Sequence, residues 1–562
     1  MGSVLGRLCR PKTDPKVKDE ISEMHSSLRR TSTTVSDSNN KPGQAAVVLG
    51  RFTLSTGQQL ALIVALAFLL RLLPATVRFV IGTDDALFLT LGQNLAAGRG
   101  YTGDGLTTQI DFPPGYPLFA AAIFALGGGL EWPTWINMLV VGSLLPVAIY
   151  WLARQLTDAR TGLLAGLLAA LHPALVLGQG NFESVAEPLY SLLLYTGWGL
   201  VWWGVARRRV WPLGLAGLLI GLAHWVRWEG IILGLIGAVM FAGLLRRERR
   251  LLPALGLYLA GLLLCAIPFG LFLYRHTGSV LSPKTMLTQL HAAAIDATAS
   301  DPWAFERSFY EQYERWLAHP AEPPPALQQS RWAAVRRYVG NVWVEIRLWF
   351  TALSFLTALW IGPFLIGLWR LPWRRMLFLL PLFIPLGFIP ASVVDPRYFL
   401  IPLPVILIFV AVGLVWLTVR LPSRYVFGRN LLLGGILTGG LLAAFVAASL
   451  AGSWLYPRPT GYRTAGLALR GDIPPGAHFL ARKRQVAYYA GGVWDWLPLA
   501  NLDAVLAHAR ARHIDYLVVD SYTTPELRPQ LAFLLNPAAA PADLQPVYVS
   551  PEVVVYRVTS DE

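Results

Sequence analysis

The chain predicts an all-α polytopic membrane protein of about eleven transmembrane helices, with outer interfacial helices and a small C-terminal α/β domain outside the cytoplasm. Three observations carry this. Of 562 residues, 54% are hydrophobic and only 14% charged, well below the roughly 25% charged residues of soluble domains. Apolar runs of near-spanning length recur through residues 51–455. Arginine clusters separate alternate runs, as cytosolic loops require. The formal charge of +14 therefore orients spans, and no nucleic-acid partner is expected.

Residues 1–50 are rich in Ser, Thr, Lys and Arg and lack an apolar h-region, which predicts a disordered cytosolic tail and no signal peptide. The first span, 58–80, then leaves the cytosol. Span 135–152 returns to Arg154 and Arg160, 163–177 goes out, and 188–205 returns to Arg207, Arg208 and Arg209. Spans 211–228 and 231–245 make the next pair and end at the cluster 246–250. Span 252–274 goes out, 348–368 returns to Arg370, Arg374 and Arg375, and 377–393 goes out. Span 399–418 returns to Arg420, Arg424 and Arg429, and 431–450 ends outside. Of the two cysteines, Cys9 is in the tail and Cys265 in a span, so neither a disulfide nor a Cys metal site is expected.

One stretch sets the register. The apolar part of 114–129 is about fourteen residues long, short of the roughly twenty a span needs. It is read as an interfacial or re-entrant helix, because a full crossing would turn every later arginine cluster outward. The first outer loop is then 81–132 and a long one is 276–345. Within the latter, aromatic residues at helical spacing in 301–317 suit a helix lying among headgroups. Arg331, Arg336 and Arg337 also fall outside, facing either lipid phosphates or water. Residues 456–562 are less apolar. Strands are expected at 478–481, 516–520, 547–550 and 553–557 and a helix at 502–512, with no Gly-rich phosphate loop.

With this topology the unusual polar residues gather at the outer mouths: Asp84, Asp85, Asp111, Glu183, Glu187, Arg227, Glu229, Lys284, Asp395 and Arg397. A transporter would be expected to keep ionisable groups near the midplane, between repeats; no internal repeat is apparent. The adjacent Asp84 and Asp85 are costly beside a bilayer, by desolvation and mutual repulsion. One of them can accept a proton from an attacking hydroxyl, and Asp85 can instead cap the helix expected at 86–97. Asp111 returns in the same loop before Pro113-Pro114-Gly115-Tyr116-Pro117. An anionic leaving group would need a cation, for which Arg227, Arg397 (followed by Tyr398) and Lys284 are candidates and Arg71 and Arg78 weaker ones. Each has a structural rival: pairing of Arg227 with Glu229, pairing of Arg397 with Asp395, solvation of Lys284. Glu183 or Glu187 suits an acceptor sugar, a metal site or a helix cap. His172 is expected to be packed.

These residues resemble the GT-C superfamily of membrane glycosyltransferases, in particular its protein O-mannosyltransferase and lipid A aminoarabinose transferase branch. That branch opens with one span, an outer loop bearing Asp-Asp or Asp-Glu, an amphipathic helix, and an acidic residue before a Pro-rich turn. The likeness covers about residues 55–450, with its sharpest motifs in 84–117. It implies transfer of a sugar from a polyprenyl-phosphate carrier to a glycan, lipid or protein acceptor in a bacterial cytoplasmic membrane. It also implies Asp84 as the base and Asp111 as the second acid. Phe112 stands where the aminoarabinose transferase has lysine. Some relatives place a divalent cation between carboxylates, which here would be Asp84 and Asp111. A glycan ligase of similar fold, a flippase of lipid-linked sugars and an inactive homologue are the alternatives.

Overall fold

A computed structural model describes residues 47–49, 52–77, 79–104, 106–181, 186–245, 252–280, 331–351, 357–388, 390, 396–419, 427–455 and 458–559. The helix expected at 301–317, together with Arg78, Glu183, Lys284 and Asp395, lies outside these residues. Strands β1 (Val47–Leu49) and β2 (Phe52–Leu54) pair antiparallel; the sequence reading contained no such pair.

From there the chain is mainly helical. Helices α1 (Thr56–Thr76), α2 (Thr83–Ala96), α3 (Gly115–Ala125) and α4 (Trp132–Leu156) are followed by α5 (Ala159–Leu171) and α6 (Pro173–Asn181). Next come α7 (Ala186–Arg207), α8 (Trp211–Val226), α9 (Glu229–Leu245) and α10 (Leu252–Thr277). The remaining membrane-domain helices are α11 (Arg331–Thr351), α12 (Thr357–Arg370), α13 (Trp373–Leu379), α14 (Ile384–Phe388), α15 (Leu403–Val419) and α16 (Phe427–Leu455).

Among the described residues four helices are long and apolar enough to cross a membrane: Thr56–Thr76, Trp132–Leu156, Leu252–Thr277 and Gly435–Trp454. Eleven spans were expected, and several of the other expected spans are divided. The run 163–177 breaks at His172, whose extended backbone is what a residue before proline prefers. The run 377–393 holds a 3₁₀ segment, Leu380–Phe383, between α13 and α14. The run 348–368 is shared by the end of α11 and most of α12. Apolar side chains on α10, among them Leu263, Leu264, Ile267 and Leu271, are exposed, as a lipid-facing helix requires.

Small residues bring the helices close. A Cβ on Gly217 of α8 would lie 2.0 Å from the Tyr258 carbonyl oxygen of α10, so only glycine permits this crossing. The α5–α6 break leaves the Ala170 carbonyl without its helical partner, the Ala174 N–H turning to His172 Nδ1 instead, and Arg71 meets it. Its guanidinium, fully buried, donates to Ala67 O at 3.0 Å, Ala170 O at 3.3 Å and Leu175 O at 3.0 Å. Arg71, a weaker phosphate candidate from sequence, is thus a latch between helices. His172 packs edge-on to Phe445, its ring 4.6 Å away.

The C-terminal α/β domain adds α17 (Gly461–Leu469), β3 (His478–Ala481), α18 (Gln485–Ala490), β4 (Val493–Trp496), α19 (Leu502–Ala511), β5 (Tyr516–Asp520), β6 (Leu544–Val549) and β7 (Val553–Val558). The sheet order is β4-β3-β5-β7-β6, parallel between β4, β3 and β5 and antiparallel beyond. Tyr516, Val518, Val553 and Val555 face one core, with α17 and α18. Leu517, Val519, Val554 and Tyr556 face the other, with α19. A sheet covered on both faces explains why β5 and β7 read as unbroken apolar runs.

Candidate active site

The site is built from the first turn of α2. That helix begins at Thr83, not at the expected 86, so Asp84 and Asp85 both lie inside its first turn. The positive end of the helix dipole favours carboxylates there. Their environments then differ. Asp85 is buried, and its Oδ2 accepts the Gly82 N–H at 3.0 Å, returning to the residue that precedes the helix. Asp84 is half-buried.

The loop after α2 carries Asp111, which is buried. Tyr101 lies beside it and donates its hydroxyl to the Phe112 carbonyl at 3.0 Å. Burial and the nearby Asp111 charge hold the Tyr101 phenol well above its ordinary pKa, so it stays a donor. Phe88 of α2 makes edge contacts with Phe112 at 5.3 Å and Tyr116 at 5.7 Å, which ties the Asp111 loop to the helix bearing Asp84. Phe112, noted from sequence as a departure, thus packs as an apolar wedge.

Pro113 and Pro114 end the loop, and α3 starts at Gly115. A Cβ there would lie 2.6 Å from the Trp225 carbonyl of α8. This flush contact sets the Asp111 loop against the end of α8, two residues from Arg227. Arg227 is buried, forms an ion pair with Glu187 of α7 and bonds Glu229 of α9 at 2.9 Å. Its guanidinium also lies 5.9 Å from the Tyr190 ring and 5.4 Å from the Tyr398 ring. Two carboxylates surround one cation, so Arg227 joins α7, α8 and α9 and its charge is compensated locally. Arg397 is on the 3₁₀ turn Pro396–Leu400, one residue before Tyr398.

The sequence reading missed a third part. Helix α18 of the C-terminal domain packs on the segment that leads into α2. Gln485 Nε2 donates to Ile81 O at 3.3 Å, and the Ile81 N–H donates to the Tyr489 hydroxyl at 3.3 Å. The Tyr489 hydroxyl donates to Glu131 Oε1 at 2.8 Å, and Arg463 bonds the same oxygen at 2.6 Å. Tyr488 donates to Leu130 O at 2.7 Å. Ile81, Ala86, Leu89, Tyr488 and Tyr489 share one apolar cluster. No local signal marks these residues, because their partners lie far away in sequence.

Among the described residues no three His, Cys, Asp or Glu side chains come together as a cation's ligands.

Residues 111–274 match the model of the dolichyl-phosphate-mannose-protein mannosyltransferase family. No curated protein sequence matches the chain. Among solved structures, ArnT from Cupriavidus metallidurans bound to undecaprenyl phosphate is similar, with 14% identity and a TM-score of 0.56 over 90% of this chain and 99% of that one. The archaeal oligosaccharyltransferase AglB from Archaeoglobus fulgidus, in complex with an inhibitory peptide and a dolichol-phosphate, is similar at 13% identity and a TM-score of 0.56. That match covers 82% of this chain and 69% of AglB. Together these findings identify the chain as one with the GT-C glycosyltransferase fold, the resemblance that Asp84-Asp85, Asp111 and the Pro-rich turn had suggested.

Proposed function

We propose that the chain transfers a sugar from a polyprenyl-phosphate carrier to a hydroxyl of a lipid, polysaccharide or protein acceptor, with Asp84 as the general base. The observation that carries this is the division of labour in the first turn of α2. Asp85 caps the helix, Asp84 is half-buried beside it, and buried Asp111 is held on the next loop of the same helical hairpin. In the reaction the acceptor oxygen attacks the anomeric carbon, the carrier phosphate departs with the bonding electrons, and Asp84 takes the hydroxyl proton. A single displacement inverts the anomeric configuration. Asp111 orients the acceptor opposite Asp84, and Asp85 keeps the turn in shape.

The departing phosphate is already anionic and needs positive charge more than a proton. Arg397 and Lys284 are proposed for it. Arg227, held between Glu187 and Glu229, is proposed to shape that mouth and to support Tyr398. The loop 276–345 is proposed to close over the donor and exclude water. The membrane would be a bacterial cytoplasmic one, crossed about eleven times, with the N-terminus cytosolic and the C-terminal domain outside. Purified protein incubated with a panel of polyprenyl-phosphate sugars should give a covalent glycosylated product. Asp84→Asn should abolish the product while expression and thermal stability stay unchanged. Full activity in that variant would overturn the assignment.

A further inference from the structure

Between α2, the loop residues 103–104 and 107–109 and the edge strand β4 lies a cavity of about 420 Å³, within the range of about 300–1,000 Å³ for small-ligand sites. None of the groups assigned above to the transfer step lines it. Its walls include Tyr488, Trp494 and Trp496. The Trp494 ring is fixed, because its indole N–H donates to the Ala481 carbonyl at 2.8 Å. The Arg484 guanidinium stacks on that ring, 4.2 Å from its centroid. A stacked guanidinium keeps its N–H donors in its own plane, directed outward around the rim, where they can fork onto a carboxylate or phosphate.

The charges at the cavity are unequal in availability. Arg512 is bound to both oxygens of Asp495, at 3.0 and 3.1 Å. Asp104 Oδ1 accepts the N–H groups of Leu106 and Thr107 at 2.8 and 2.7 Å. Burial works to raise the Asp104 pKa, but these donors outweigh it and lower the value. Arg484 contacts the Trp494 ring and has no carboxylate partner among the described residues. Arg484 is therefore the arginine of this aromatic-walled cleft whose donors no described carboxylate engages, while the Asp104 charge is held by backbone N–H groups.

We propose that this cavity binds an anionic saccharide, its C–H faces against the aromatic rings and its carboxylate or phosphate on Arg484. Leu87 and Thr90 of α2 line the cavity, one and nearly two turns beyond Asp84, or roughly 5–9 Å along the helix axis. A glycan seated there can extend its end to Asp84, which makes it the acceptor. Its role as acceptor rests on the glycosyl-transfer reading; the binding itself does not.

The test titrates the full-length protein in nanodiscs by calorimetry, without donor, using trigalacturonate, mannotriose and inorganic phosphate. Trigalacturonate should bind about tenfold more tightly than either of the others, the contribution of one charge-assisted hydrogen-bond pair. Arg484→Gln should remove that preference, and Arg484→Lys should restore part of it. Equal affinity for the acidic and neutral sugars, or unchanged affinity in Arg484→Gln, would overturn the proposal. So would inorganic phosphate binding as tightly as trigalacturonate, since that describes a bare anion site. Sugar binding without any glycosyl transfer would sink the transferase reading and leave the cavity assignment standing; transfer without sugar binding would do the reverse.

Discussion

Neighbouring residues of one type take different roles when the backbone gives them different partners. Asp84 and Asp85 are indistinguishable as a dipeptide, and the N-terminal turn of α2 separates them by returning Asp85 to Gly82. The capping role was legible from Asp85's position before an amphipathic run. Arg227 was legible only in part. Its neighbour Glu229 was visible two residues away, but Glu187 comes from another helix and no spacing rule brings it there. This pair yields a stability prediction. Arg227→Met should leave Glu187 buried without its cation and cost about 3–5 kcal/mol, read as a lowered unfolding temperature in detergent. Replacing Arg227 and Glu187 together by methionine should recover much of that loss, because the fully buried carboxylate is then gone and Glu229, which also loses Arg227, is 24% exposed and can be hydrated. If the double variant is as unstable as the single one, Arg227 stabilises through packing on Tyr190 and Tyr398 instead.

At the level of elements, the joint between α3 and α8 determines where Asp111 sits. Gly115 follows the two prolines and lies against the Trp225 and Val226 backbone. Gly115→Ala would place a methyl 2.6 Å from a carbonyl carbon and oxygen that cannot rotate away. The start of α3 must move, and the Asp111 loop with it. Transfer should fall by about 10²-fold, as for misplacements of about 1 Å, while far-UV circular dichroism stays that of the parent. Wild-type rates in Gly115→Ala would show that the joint does not set the geometry. The sequence indicated a short helix after the prolines, and α3 is that helix. It gave less notice of the breaks, since Pro173, Pro381 and Pro385 lie within apolar runs that hydropathy alone reads as continuous. Strand β4 was missed for a related reason. Its four residues, Val493–Trp496, include an aspartate and show no clear alternation.

For the whole molecule, contacts between distant parts restrict topology more firmly than counting apolar runs does. The first loop and the C-terminal domain meet through Ile81 with Tyr489, Leu130 with Tyr488, and Glu131 with Arg463. Arg458 adds hydrogen bonds to Pro74 O at 2.6 Å and Val77 O at 3.2 Å, at the end of α1. Two surfaces bonded this way lie on one side of a membrane, so the chain must cross an even number of times between them. About ten crossings after the first, as the arginine clusters imply, satisfy that condition; an odd number, which a fully spanning 114–129 segment would produce, does not. The constraint holds whatever the exact count. It predicts a labelling pattern in a chain whose Cys9 and Cys265 are replaced by alanine. Leu106→Cys and Val549→Cys, both at exposed positions, should react with a membrane-impermeant maleimide from the same side in intact cells. The arginine pattern assigns that side to the exterior. Labelling from opposite sides would separate the loop from the domain and remove α18 from the candidate site. Labelling of both only after permeabilisation would keep the site whole and invert it, placing the sugar carrier in the cytosolic leaflet.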